Sequence, residues 1–157
     1  MKVLKWGFGG AVRQAALGGG LLCLWAVAAG AQQLSVSGSP SAMKITSATA
    51  GFPPNDAVNS ATTYTVKGKA NKSYKIMLSL NSNMPAGMTL TADFVAPAGA
   101  VDDGVVTLST TAREVVGNIT NTTNFTGAIT YTLSATPAAG VVLSQSRTVT
   151  LTLTTWP

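Results

Sequence analysis

The chain contains no histidine, a single cysteine and only fifteen charged side chains among its 157 residues. Each scarcity excludes a class of function. Without histidine, and with Cys23 alone, neither a hydrolytic triad nor a zinc site of nitrogen and sulfur ligands can be assembled. A serine paired with a lysine remains formally available, but the lysines fall in apparent turns and on strand faces, where solvation is the simpler account. The expectation is a protein with no catalytic residues, no metal and no cofactor. Charged residues make up 10% of the chain, against about 25% in an ordinary soluble domain. Its polar surface must therefore come from Thr, Ser and Asn, and β-branched Thr suits the exposed face of a pleated sheet. Aromatic residues are also few, at 6%. An apolar ligand pocket needs more aromatic lining than this supplies, which weighs against a carrier of apolar ligands. No stretch of ten or more residues keeps a helical period.

The first 31 residues have the order of a signal peptide. Lys2, Lys5 and Arg13 form a basic start, Ala15 to Ala28 is an apolar, Gly-rich run, and Ala29-Gly30-Ala31 offers the small residues a cleavage site requires. The run is too short for a membrane span, which needs about twenty apolar residues. Cys23 follows Leu22, where a lipoprotein would carry a small residue. Export is therefore expected, to the periplasm, cell surface or exterior, with membrane contact only in transit. Cleavage would remove the cysteine and three of the ten basic residues, leaving seven basic against five acidic side chains, a net charge of +2. That charge gives no reason to expect nucleic acid as a partner.

Residues 32–61 read as an extended arm and a Pro-rich linker. Leu34 and Val36 alternate with Ser35 and Ser37, Gly38 and Pro40 interrupt, and Met43 and Ile45 alternate again before Gly51-Phe52-Pro53-Pro54 forbids regular structure. Residues 62–157 form the domain proper. Tyr64 and Val66, then Tyr74, Ile76, Leu78 and Leu80, then Met88, Leu90, Ala92 and Phe94 fall on alternate positions, each row ended by a polar or Gly/Pro loop. Val106 and Leu108 start a short strand and Val115 and Val116 a shorter one. Ile129, Tyr131, Leu133 and Ala135, then Val149, Leu151 and Leu153, alternate with Thr and Ser on the off-beat. A period of two with Thr between means antiparallel strands with one face buried and one wet. Seven such strands predict an all-β fold, an immunoglobulin-like Greek-key β-sandwich, with a closed barrel as the rival that alternation alone leaves open.

Other candidate sites have plain alternatives. Asp102 and Asp103, with Asp56 or Glu114, supply oxygen ligands of the kind calcium takes. They lack the alternating spacing of a calcium loop, and Asp-Asp-Gly is ordinary turn chemistry. Lys67, Lys69, Lys72 and Lys75 cluster at a hairpin tip that solvation explains. Four glycosylation sequons begin at Asn71, Asn118, Asn121 and Asn124, as a chain rich in Asn and Thr produces readily by chance. The arm is the more informative candidate. Its strip of Leu34, Val36, Met43 and Ile45 either adds to the sheet edge of another subunit or forms the first strand of its own sandwich.

The leader, the Thr-rich strands, the apolar arm and the ending Ser146-Arg147-Thr148-Val149-Thr150-Leu151-Thr152-Leu153-Thr154 resemble the spore-coat-U-like subunits of archaic chaperone-usher pili. The resemblance implies an immunoglobulin-like subunit that polymerises by lending an N-terminal strand to its neighbour, with a periplasmic chaperone as a candidate partner. The chain departs from that family in lacking the disulfide many members carry and in the break at Gly38 and Pro40. The expected function is a secreted, non-catalytic structural subunit of a bacterial surface fibre or layer. A self-contained adhesion or ligand-binding β-sandwich module is the alternative.

Overall fold

The structure, a computed structural model, describes residues 2–3, 33–47, 52–69, 71–120 and 124–157. The segment expected to be a signal peptide lies outside them except at its second and third residues. Ten strands follow in order: β1 (Lys2–Val3), β2 (Gln33–Ser37), β3 (Ala57–Lys67), β4 (Ser73–Leu80), β5 (Met88–Phe94), β6 (Val101–Asp102), β7 (Val106–Thr107), β8 (Arg113–Thr120), β9 (Phe125–Ala135) and β10 (Thr148–Thr155). One 3-10 turn, Pro137–Ala139, precedes β10, and the described residues contain no α-helix. One sheet has the order β1-β10-β4-β8-β6 and the other β2-β3-β9-β5-β7. Every pairing is antiparallel except that of β1 on β10. The sheets keep separate edges, so they form the two layers of a β-sandwich and no barrel closes.

Alternation sets which face each strand buries. In β4, Tyr74, Ile76, Leu78 and Leu80 are buried while Ser73, Lys75, Met77 and Ser79 are half-exposed. In β9, Ile129, Tyr131 and Leu133 turn to the same core, where they meet Tyr64, Val66, Leu90, Phe94 and Val149. Full burial of one such side chain contributes roughly 1.5–3 kcal/mol. With no disulfide to help, this core holds the described domain together.

Register is fixed by specific irregularities. Asn81 and Thr148 clamp the start of β10 on the end of β4: the Asn81 N–H donates to the Thr148 carbonyl at 3.0 Å, and the Thr148 N–H to Asn81 Oδ1 at 2.9 Å. Between β4 and β8, Tyr74 faces Ile119 and Ile76 faces Val116, which leaves Gly117 and Asn118 together opposite Lys75. The extra residue is accommodated by a positive φ of 50° at Asn118, a conformation Asn tolerates better than most residues. A second slip, from Val116 to Glu114, leaves Val115 without a partner of its own, so that Val115, Val116 and Gly117 are all buried.

These bulges explain where periodicity alone falls short. The Val115-Val116 pair, expected as a minimal strand, lies within the eight-residue β8, which continues to Thr120. Val101–Asp102 forms the short strand β6 inside the loop expected after the row that ends at Phe94. Strand β3 starts at Ala57, within the expected linker. The strands from β3 onward thus number eight, against the seven expected.

Candidate functional site

The arm is an edge strand of its own sheet. In β2, Leu34 faces Val66 and Val36 faces Tyr64 on β3. Leu34, Met43 and Ile45 are partly buried against the core, and Val36 is half-buried. The apparent break between the two halves of the strip is what keeps it there. Gly38 adopts φ of 77°, and a Cβ on it would collide with the carbonyl oxygen of Ala61. Only glycine allows so close an approach of the arm to β3. Pro40 is buried, Ser41 Oγ accepts from Asn59 Nδ2 at 3.0 Å, and the Asn55 N–H donates to the Ser47 carbonyl at 3.1 Å. Leu34 and Val36 therefore pair within the chain's own sheet, and Met43 and Ile45 pack against the same core as Leu34.

In the opposite sheet, the outer edge of β10 is only partly paired among the described residues. Strand β10 pairs with β4 from Val149 to Thr155, and among the described residues its outer side is met only by β1, opposite Thr148 and Val149. Beyond Val149 no described strand meets the outer backbone groups of β10. The inward row changes accordingly: Val149 is buried, whereas Leu151 and Leu153 are only half-buried. In contrast, the inward residues of neighbouring β4 are covered throughout. Past the strand, the Trp156 N–H donates to the Ser73 carbonyl at 2.8 Å, and its ring lies over Gly117, where a Cβ would collide with it.

A cleft of about 1290 Å³ opens at the end of the sandwich where β5 begins and β9 ends. Met43 and Ile45 of the arm line it together with Met84 and Met88, with buried Leu90 and Leu133 also in the lining and exposed Phe52 and Leu143 at its rim. The lining contains Lys44 and Arg147 and no acidic residue. The aromatic count gave no warning of it because the walls are methionine and aliphatic side chains. The signal available in the sequence was the grouping of Met43, Met84 and Met88 beside loops.

The remaining candidates resolve into local structure. Asp102 Oδ1 accepts from the Gly104 N–H at 2.7 Å, the bond by which Asp builds a turn. No three His, Cys, Asp or Glu side chains group as metal ligands among the described residues. Lys75 pairs with Glu114 at 3.5 Å and stands 5.7 Å above the Trp156 ring, while the Lys69 carbonyl accepts from the Lys72 N–H at the hairpin tip. Asn71 and Asn124 are exposed at left-handed positions and Asn118 sits in the β8 bulge. The sequon at Asn121 lies outside the described residues. Burial drives the phenols of Tyr64 and Tyr131 far above the usual value near 10, and the negative charge of Asp102 adds to the effect at Tyr64.

No family model matches the chain, and neither curated proteins nor solved structures include a match to it.

Proposed function

We propose that the protein is a secreted, non-catalytic structural subunit of a bacterial surface fibre or layer, and that it associates by accepting a strand at the outer edge of β10. The observation that carries this reading is the half-covered row Leu151 and Leu153 on an edge with no described partner beyond Val149. Extended backbone with unpaired N–H and C=O groups, beside a strip of apolar side chains, is a template for another strand. An added strand would satisfy those groups and cover the leucines in one step.

The strand order supports an immunoglobulin-type Greek key as the framework. Such a fold places strands A, B, E and D in one sheet and C, F and G in the other. The series β2-β3-β9-β5 corresponds to A, B, E and D, and the pair β4-β10 to C and F. The position of G then falls on the outer side of β10, where, among the described residues, only the two of β1 pair. If the leader is cleaved as its pattern predicts, β1 leaves with it and the whole edge of β10 is open.

The arm has a different part in this scheme from a free tail. Because β2 is already paired to β3, donation to a neighbour requires either its release from β3 or a strand from another partner, such as a periplasmic chaperone. Unheated and boiled surface extracts of the source organism, compared on a denaturing gel, test the proposal. A ladder that collapses to the monomer on boiling is expected. A single monomer band in both lanes would overturn it and leave a self-contained adhesion or binding module.

A further inference from the structure

We propose that the cleft beside Met43, Met84 and Met88 binds the chain of a single-chain anionic amphiphile, a long-chain carboxylate, with its head group held at Arg147. This goes beyond the assembly reading and does not depend on it, since the cleft lining includes none of the β10 strand residues. Three observations converge. The cleft, of about 1290 Å³, is large enough to admit a long alkyl chain. The methionines at its walls have flexible, polarisable side chains that adapt to a chain without fixed shape. At the rim, Phe52 is 68% and Leu143 82% exposed, an apolar surface that a bound chain would cover.

Charge selects the head group. Lys44 and Arg147 are the charged residues of the lining among the described residues, and no carboxylate opposes them there. Arg147 is held by neutral acceptors: its Nε donates to the Asn83 carbonyl at 3.1 Å, Nη1 to the Ser146 carbonyl at 3.0 Å and Nη2 to Gln145 Oε1 at 2.6 Å. The guanidinium is thereby oriented without being neutralised, and three of its five N–H donors are used. Its remaining donors and full charge match a carboxylate, for which charge-assisted pairing is stronger than a neutral hydrogen bond. A neutral chain of the same length would gain the apolar contact alone.

The test is titration calorimetry of the full chain with decanoate, dodecanoate and dodecanol, each below its aggregation threshold. Saturable binding of one dodecanoate is expected, tighter than decanoate, with dodecanol weaker by about tenfold through loss of the charged pair. Arg147→Gln should reduce dodecanoate to the level of dodecanol and leave dodecanol unchanged. Because Arg147 also bonds to Asn83, its thermal unfolding is measured alongside. Leu143→Asp, at an exposed position, should weaken both ligands while the unfolding midpoint stays put. Absence of saturable binding overturns the proposal, as does equal affinity for acid and alcohol. Sedimentation onto phosphatidylglycerol vesicles without binding of free dodecanoate would assign the cleft to a bilayer surface and also overturn it. So would occupancy of the cleft by a second copy, read as dimers that dodecanoate does not dissociate.

Discussion

The hydroxyl of Tyr64 donates to the carbonyl oxygen of Val95 at 2.7 Å, joining β3 to the chain just beyond β5 across the intervening strand β9. The ring can take this path because its cross-strand partner is Gly127, and it packs against Phe94 and Phe125 at centroid distances of 5.3 and 6.1 Å. Tyr131 is as deeply buried, yet its hydroxyl has no partner among the described residues. The two tyrosines should therefore respond oppositely to loss of the oxygen. Tyr64→Phe should cost about 1–2 kcal/mol, whereas Tyr131→Phe, which removes an unsatisfied group, should be neutral or slightly stabilising. Urea unfolding midpoints measure both, and equal losses would contradict this account.

Gly127 can be tested separately. A Cβ there would press into the Val95 carbonyl oxygen and within 2.8 Å of the Tyr64 and Phe125 rings. The carbonyl is backbone and cannot turn aside as a flexible side chain would. Gly127→Ala should cost about 1–3 kcal/mol, the range for overpacking a filled core. An unchanged unfolding midpoint would mean that the strand shifts freely at this point.

The same tyrosines set an alkaline limit. Their folded-state pKa values lie above the unfolded value near 10, chiefly through burial. Above pH 10 the unfolded chain gives up phenolic protons that the folded chain retains. The stability contribution is complete below that pH and is lost as pH rises towards the folded values. With both groups acting, the slope is about 2.7 kcal/mol per pH unit, twice the value for one proton. Denaturant unfolding at intervals from pH 9 to 11.5 should show a plateau followed by this fall. Tyr131→Phe should halve the slope.

Periodicity made much of the sandwich legible because most strands bury one clean face. The rows Tyr74-Ile76-Leu78-Leu80 and Ile129-Tyr131-Leu133 occupy the core as their alternation requires. It failed where the backbone carries an extra residue. Val115 and Val116 break the period because β8 bulges twice against β4, and no pattern of single residues announces a bulge. The β6 strand, only two residues long, is too short to have a period. The arm was visible as an apolar strip, but its side-by-side packing with β3 turns on Gly38 meeting Ala61, a contact between residues far apart in sequence. The cleft is assembled from loop and strand ends far apart in sequence, and only the placing of its methionines beside loops hints at it.

Gly38 therefore gives a direct measure of how firmly the arm is held. Replacement by alanine places a methyl group against the Ala61 carbonyl and strains a residue at φ of 77°. The arm should detach before the rest unfolds, since β2 lies at an edge and only one side of it is paired. Amide exchange of residues 33–37 should accelerate by at least tenfold in Gly38→Ala, while β4 and β9 amides keep their protection. Uniform acceleration in all three strands would show that the arm is part of one cooperative unit.

The edge of β10 yields the most direct test of assembly. Leu151 and Leu153 are incompletely covered in the single chain, so an Asp at either position retains access to water and should lower the monomer's stability only modestly, by about 1 kcal/mol. In a complex with an added strand the same carboxylate would be buried without a partner, at a cost of several kcal/mol. Leu151→Asp and Leu153→Asp should therefore abolish the heat-sensitive ladder while the soluble monomer remains folded by circular dichroism. Val141→Asp, at a position 97% exposed and outside β10, should leave the ladder intact. If the β10 variants assemble as well as the parent, the strand is added elsewhere; the outer edge of β2 is then the next to probe, with Asp in place of Ser35.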